Sequence, residues 1–317
     1  MSAKHAAAAL AAIAAACGEG GHSATPPGLP APSTKASVRL LDPGRPPLRP
    51  LRYAPAGTTP SSLTLSLRET VRQPGSATTR VRIDEAELLG IGTATAEPAE
   101  HEGARVALEI SDLHGGGPVP GAEETGAKAR QDWRLPGRLK GHAEVSGRGL
   151  GGEAALSPAA GTAEGDAAEL EGRAEQILAH GLLWSLPLPE EAVGEGARWE
   201  LTGSFDTERV RLALGAVAEV VAMDPAGARV RVRGILRGEP QNVGVPGFLD
   251  VTTTYEVLSA EGTLDGEWLV DPARVLADAR FTLHLDARIR QHAKAGASEA
   301  ERQRVRVMEV VVQRSAR

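Results

Sequence analysis

The stretch VLADARFTLHLDARIRQ, Val275 to Gln291, decides the fold class. Val275, Ala277, Ala279, Phe281, Leu283, Leu285, Ala287 and Ile289 fall on one parity. Asp278, Arg280, Thr282, His284, Asp286, Arg288 and Arg290 fall on the other. Side chains of a strand alternate between its faces, so this period of two predicts one long strand with a dry face and a wet face. Wet faces on long strands predict an antiparallel sheet, because parallel sheets are usually covered on both sides.

The same alternation recurs in SLTLSLRETV (Leu63, Leu65, Leu67, Val71), ARVALEIS (Val106, Leu108, Ile110), RVRLALGAVAEV (Val210 to Val220) and ARVRVRGIL (Val230, Val232). Met223-Asp224-Pro225-Ala226-Gly227 and Val270-Asp271-Pro272-Ala273 supply Asp-Pro turns in hairpin positions. Near the end, Val305 and Val307 change phase to Val310 and Val312, which predicts a bulge at Met308 and Glu309. One segment departs from the pattern. GDAAELEGRAEQILAHG places Leu170, Ala174, Ile177 and Leu178 at helical spacing, with Asp166 and Glu169 as a capping pair and Gly181 as a stop, so one helix is expected near 166–180. The expected fold is mainly β: long antiparallel strands in a curved sheet, an incomplete barrel or a sandwich, with that helix packed against it.

Glycine (37) and proline (22) are frequent while aromatics make up only 3% of 317 residues, which favours many short-turned elements over long helices. A net charge of -6 with scattered arginines and few aromatics gives neither a basic footprint nor a stacking platform, so nucleic acid is not an expected partner. The single cysteine excludes an intramolecular disulfide. Beyond the N-terminus no apolar run reaches the length of a spanning helix.

That cysteine is Cys17. Lys4 and the run Ala6 to Ala16, carrying Leu10 and Ile13, read as the n- and h-regions of an export signal over residues 1–16. Ala14-Ala15-Ala16-Cys17-Gly18 resembles the lipobox of bacterial lipoproteins, with Ala14 where leucine usually stands. The resemblance implies that Cys17 is acylated and becomes the first residue of the mature chain, and that Gly18, not being aspartate, directs it to the outer membrane. The other reading of the same residues is an ordinary secretory signal cleaved after Ala14-Ala15-Ala16, which would leave the protein secreted or periplasmic. Multiple acyl chains anchor stably without any spanning helix. Residues 17–50 are rich in Gly, Ser and Pro and read as a disordered tether, in which Val38 to Leu41 is at most a short strand.

Residues 51–317 then form the β-rich domain. RVRIDEAELLG…GARVALEIS and RVRLALGAVAEVV…GARVRVRG suggest two related halves, 51–160 and 187–317. HGGGPVPGAEETGAKA and SGRGLGGEAALSPAAGTAEG, between them, read as loops. LPLPEEAVGEGARWEL (Leu186 to Leu201), TTTYEVLSAEG and LDGEWLVDPARVLADARF resemble an uncharacterised family of secreted bacterial lipoproteins. In that motif Gly194 and Gly196 shape a turn and Trp199 begins a strand. The resemblance implies a fold and a location, and no catalysis.

No chemistry-bearing constellation emerges from the spacing. His5, His22, His101, His114, His142, His180, His284 and His292 form no metal-like pair, and no metal or cofactor is expected. GRGLGGE (Gly147–Glu153) lacks the Lys-Ser/Thr of a phosphate loop. The carboxylates Asp84, Glu85 and Glu87, Glu190 and Glu191, and Asp278 and Asp286 read as solvated charge, and Trp184, Trp199 and Trp268 as core anchors. The expectation is a non-enzymatic protein held to a membrane at Cys17, binding a lipid-like or other apolar ligand inside a curled sheet. The alternative is an interaction protein that docks an envelope partner on its outer strands.

Overall fold

The computed structural model describes residues 37–55, 57–73, 82–99, 103–118, 130–149, 151–178, 185–207, 210–244, 254–271, 274–292 and 300–316. Among them the first strands are β1 (Ser37–Asp42), β2 (Arg45–Arg49), β3 (Thr59–Gln73), β4 (Arg82–Pro98), β5 (Gly103–Pro118), β6 (Arg130–Leu135), β7 (Leu139–Ser146) and β8 (Gly151–Pro158). Helix α1 (Glu164–Leu178) follows, then β9 (Val193–Glu195), β10 (Arg198–Thr207), β11 (Val210–Asp224), β12 (Gly227–Gly238) and β13 (Gln241–Gly244). The chain closes with β14 (Thr254–Asp271), β15 (Arg274–His292) and β16 (Ala300–Ala316).

Fourteen strands make one antiparallel sheet in the order β1, β10, β11, β12, β14, β15, β16, β3, β4, β5, β7, β8, with β6 beside β5 and β13 beside β14. The order has a simple origin. β3 to β8 is one meander and β10 to β16 a second, and the last strand of the chain, β16, pairs with β3. β6 and β7 run along β5 as one strand interrupted at Pro136-Gly137-Arg138, and β12 and β13 run along β14 as another, interrupted at Glu239-Pro240. Proline lacks the N–H that a ladder needs, which accounts for the breaks.

The end strands of this sheet, β1 and β8, do not pair with each other. The chain bridges them at one rim. Leu188 N donates to Arg148 O (2.8 Å) and Tyr53 N to Gly147 O (2.7 Å), both in the β7–β8 turn, while Trp199 Nε1 of β10 donates to Pro187 O (3.0 Å). Residues 185–189 therefore touch both ends of the sheet, which has coiled round on itself into an incomplete barrel. Arginines reinforce the seam. Arg49 donates to the carbonyls of Asp224, Pro225 and Gly227, and Arg52 to those of Leu51, Pro189 and Glu190. β2 pairs with β9 beneath. Gly44 links β1 to β2 at φ +80°, and a Cβ there would lie 2.5 Å from Ala197 N, so the approach of the strap to the start of β10 requires glycine.

The core is the concave face. Leu63, Leu65 and Leu67 of β3, Val106 and Leu108 of β5, Val230 and Val232 of β12 and Phe281 of β15 all belong to one buried cluster that runs through both meanders. Hairpins β4–β5 and β11–β12 place their Gly-Ala-Arg-Val strands alike: Ala104, Val106, Ala228 and Val230 are buried, Arg105 and Arg229 exposed. The expected turn at Asp224 is present, with its Oδ1 accepting from Ala226 N (2.8 Å) and Gly227 N (3.0 Å).

On the convex face, charges oppose each other across the ladders. Arg39–Glu200, Arg68–Glu87, Arg105–Glu144, Lys140–Glu109, Arg231–Glu267, Arg233–Asp265 and Arg290–Glu256 are ion pairs between residues directly opposite in register. Solvent screening leaves each such exposed pair a small effect on stability. Their larger effect is on register, because a one-residue slip would set them facing inward and the leucines outward.

Four expectations need correction. The tether does not extend to residue 50: Ser37 to Arg49 form β1 and β2, since Val38 and Leu40 pack against the core and β1 finds partners along β10. The helix starts two residues earlier than Asp166. Asp166 N and Ala167 N donate to Ala163 O, so Asp166 is in the first turn, where its charge favours the helix dipole, and is not the cap. β16 carries no bulge: its register with β15 steps evenly from Ala279↔Val312 to Gln291↔Ala300, placing Val310 opposite Phe281 and Val305 opposite Asp286. SGRGLGGEAALSPAAGTAEG is not a loop throughout, because pairing to β7 orders its middle as β8.

Candidate functional site

Two surfaces of the coiled sheet differ in chemistry. The concave wall is apolar and its covering is graded: along β15, Val275 is 0% exposed, Phe281 1% and Ala287 9%, while Leu285 and Ile289 on the same face are partly open. β11 is covered unevenly: Val220 is buried near the bridged rim, Leu214 and Val210 are only partly buried, and Leu212 between them is fully buried. The convex wall carries the paired charges described above. This is the reverse of a membrane-spanning barrel, whose outward face is apolar. No described helix is long and apolar enough to cross a membrane.

At the open edge a helix, not a strand, lies against β8 and β6. Its apolar stripe, Leu170, Ala174 and Ile177, is fully buried. A Cβ on Gly137, in the break between β6 and β7, would lie 2.9 Å from Leu170 Cδ1, so the missing side chain admits the helix. One turn further, Arg173 is buried with its side chain only 5% exposed, and its guanidinium lies 4.4 Å from the centroid of the Trp133 ring. Trp133 shares the inward parity of Leu135 on β6 and sits opposite Gly115 on β5, where a Cβ would come within 2.6 Å of the indole. Glycine at 115 makes the space that the ring fills.

This contact gathers the unusual electrostatics of the described residues. Glu169 Oε1 lies 3.9 Å from Arg173 Nη2. Burial pushes the Glu169 carboxyl above the ordinary glutamate range, Arg173 opposes that rise, and nearby Asp166 adds to it. Burial pulls the Arg173 guanidinium below its ordinary value, with Glu169 opposing. The Trp133 Nε1 is buried without a hydrogen-bond partner. On the convex face the shifts are conventional: hydrogen bonds from Arg138 and Arg134 hold Glu109 and Asp112 below the carboxylate range.

A titration follows from Glu169. Its folded value lies above its unfolded one, so the native state keeps a proton that the unfolded chain has released, and stability from that proton is lost as pH rises through the folded value. Against Glu169→Gln, which does not titrate, the natural protein should lose relative stability as pH rises from the ordinary glutamate range upward. Urea unfolding of both proteins across that range measures it. A relative gain instead would mean that attraction to Arg173 outweighs the cost of burial.

The residues singled out in the sequence are dispersed. Cys17, His5, His22, His101, His180 and Trp184 lie outside the described residues. Trp199 and Trp268 are fully buried, as expected of core anchors, and Trp268 stacks on Phe281 at 5.4 Å between centroids. His114 lies 3.3 Å from Asp112; His142 and His284 are exposed. Glu87 and Glu190 pair with Arg68 and Arg148. Among the described residues no group of His, Cys, Asp and Glu is arranged to hold a metal ion. Gly147, Arg148 and Gly149 make the β7–β8 turn at the seam. Trp133 and Arg173 were not marked by sequence: their spacing carries no motif, and only the packing of α1 against β6 brings them together. No family model matches this chain, and no curated protein matches it.

Proposed function

We propose that this chain is a membrane-anchored envelope lipoprotein whose β domain binds an apolar, lipid-like ligand without catalysing a reaction. Acylated Cys17 holds it to a leaflet, the outer membrane being the address that Gly18 favours, and the residues between Cys17 and β1 serve as its tether. The resemblance of the lipobox, and of the second half to secreted bacterial lipoproteins, supports the location. The observation that carries the ligand reading is the concave wall: apolar through both meanders, less covered along β15 away from the bridged rim, and flanked by a helix at its β8 edge. Curled sheets of many strands are where apolar ligands lodge, and a helix packed at a sheet edge can move without unzipping a ladder.

Full-length protein recovered from its own membranes is expected to carry a copurifying lipid, read by mass spectrometry of a solvent extract. Repeated recovery without one, together with no uptake of a fluorescent apolar probe, would overturn the binding reading. Cys17→Ala is expected to abolish acylation and release the protein from the membrane fraction; unchanged partitioning defeats the anchor.

A further inference from the structure

We propose that the rim of the coiled sheet away from the seam takes the anionic head of an amphiphile, with Arg302, Arg304 and Arg306 of β16 as the residues that recognise it. The inference rests on the reading of the concave wall as a binding surface and adds the charge and the position of the ligand's head. Register carries it, because residues directly opposite each other in an antiparallel pair share a face. On β16, Val312, Val310 and Met308 stand opposite Ala279, Phe281 and Leu283, which are buried in the concave core. The next three positions of that parity are Arg306, Arg304 and Arg302, opposite Leu285, Ala287 and Ile289. The face thus turns from apolar to cationic along one strand. The valines of the same segment take the other face, Val305 opposite Asp286 and Val307 opposite His284.

Arginines at successive core-side positions invert the alternation that β15 keeps, and such departures are expected at functional or strained places. The cross-strand rows show what they adjoin. Arg304 shares its row with Ala287, Ala260 and Gly238, and Arg302 with Ile289, Val257 and Gln241, so neither row contains a carboxylate. The row of Arg306 runs through Val71 to Asp84, and Glu69 stands opposite Met308 one row deeper. Arg82 of β4 belongs to the same face, which leaves that part of the face with more cationic than anionic residues. Covering thins at the same level, since Leu285 and Ile289 are only partly buried. Alternate residues of a strand lie about 6.6 Å apart, close enough for two guanidinium groups to share one phosphate or carboxylate. An acyl chain extending from that head would follow the apolar rows toward Phe281.

Titration of the full-length protein with dodecyl phosphate, dodecanoate and dodecanol tests the site. At least one of the two anions should bind about 10- to 100-fold more tightly than the alcohol, the span expected for hydrogen bonds to a charged group. Whichever anion binds better identifies the head as a phosphate or a carboxylate. Replacing Arg302, Arg304 and Arg306 together by Gln should abolish the preference while leaving dodecanol affinity within about twofold, as expected if the apolar wall is untouched. Arg304→Gln alone, in a row without a carboxylate, should lower the preference several-fold and keeps the test decisive if the triple variant does not fold. Arg231→Gln with Arg233→Gln removes equivalent charge from the convex face, where the two pair with Glu267 and Asp265, and should leave the preference intact. Equal affinity for anions and alcohol, or a preference that survives the rim substitutions, overturns the head-group site and leaves the apolar reading standing. Binding of none of the three removes the apolar reading and the site with it.

Discussion

Trp268→Ala is expected to lower the unfolding free energy by about 3–5 kcal/mol, the range for deleting a large buried aromatic. Trp268 is fully buried on β14, directly opposite Val230 on β12 and Ala279 on β15. The small Ala279 leaves room for the indole to lie flat on Phe281, one pair along, with 6° between the ring planes. Gly266 completes the arrangement, since a Cβ there would stand 2.4 Å from the Phe281 Cβ. A core relaxes only partly around such a deletion, so the cavity penalty adds to the lost transfer energy. Leu269→Ala is the control one residue away: Leu269 points outward, 46% exposed, and its loss should fall within about 0.5 kcal/mol. Urea unfolding reads both as shifts of midpoint at constant slope. A loss below about 1 kcal/mol for Trp268→Ala would mean that the concave wall is loosely packed there.

The reach of the sequence ends where tertiary pairing begins. The alternation from Val275 to Ile289 named the buried face of β15 correctly because inward and outward positions differ in chemistry at each step, and the Asp224 turn was legible because its hydrogen bonds are local. β1 and β2 were hidden in a proline-rich composition: a six-residue strand has too little alternation to stand out, and its order comes from β10. The change of valine phase in β16 read as a bulge because a single strand does not reveal which of its residues face Phe281 and which face Asp286. β8 looked like a loop for the converse reason, since an edge strand of glycine and alanine is held by its neighbour's backbone and not by its own pattern. The contact of Arg173 with Trp133 was beyond reach. An arginine within a helix ordinarily reads as solvated charge, and this one lies over the ring of Trp133, 40 positions away on β6.

Trp199→Ala is expected to cost about 3–5 kcal/mol for the cavity, and in addition to loosen the seam before the rest of the sheet. Trp199 is fully buried between Leu40 of β1 and Ala218 of β11, so it anchors the strand that ends one side of the sheet. Its Nε1 also holds Pro187 O, and the neighbouring Leu188 N holds Arg148 O at the other side. One indole thus joins packing on β10 to the bridge across the gap. Trp199→Phe separates the two roles: it keeps most of the apolar contact and deletes the hydrogen bond, which should cost about 1 kcal/mol for the bond plus a smaller packing term. Amide hydrogen exchange locates the effect. In Trp199→Phe the amides of Leu188 and Tyr53, which close the seam, should lose protection while those in the middle of the β14–β15 ladder keep theirs. Uniform acceleration across both regions would mean that the seam opens only with global unfolding, and that a ligand could not enter there while the barrel stays folded.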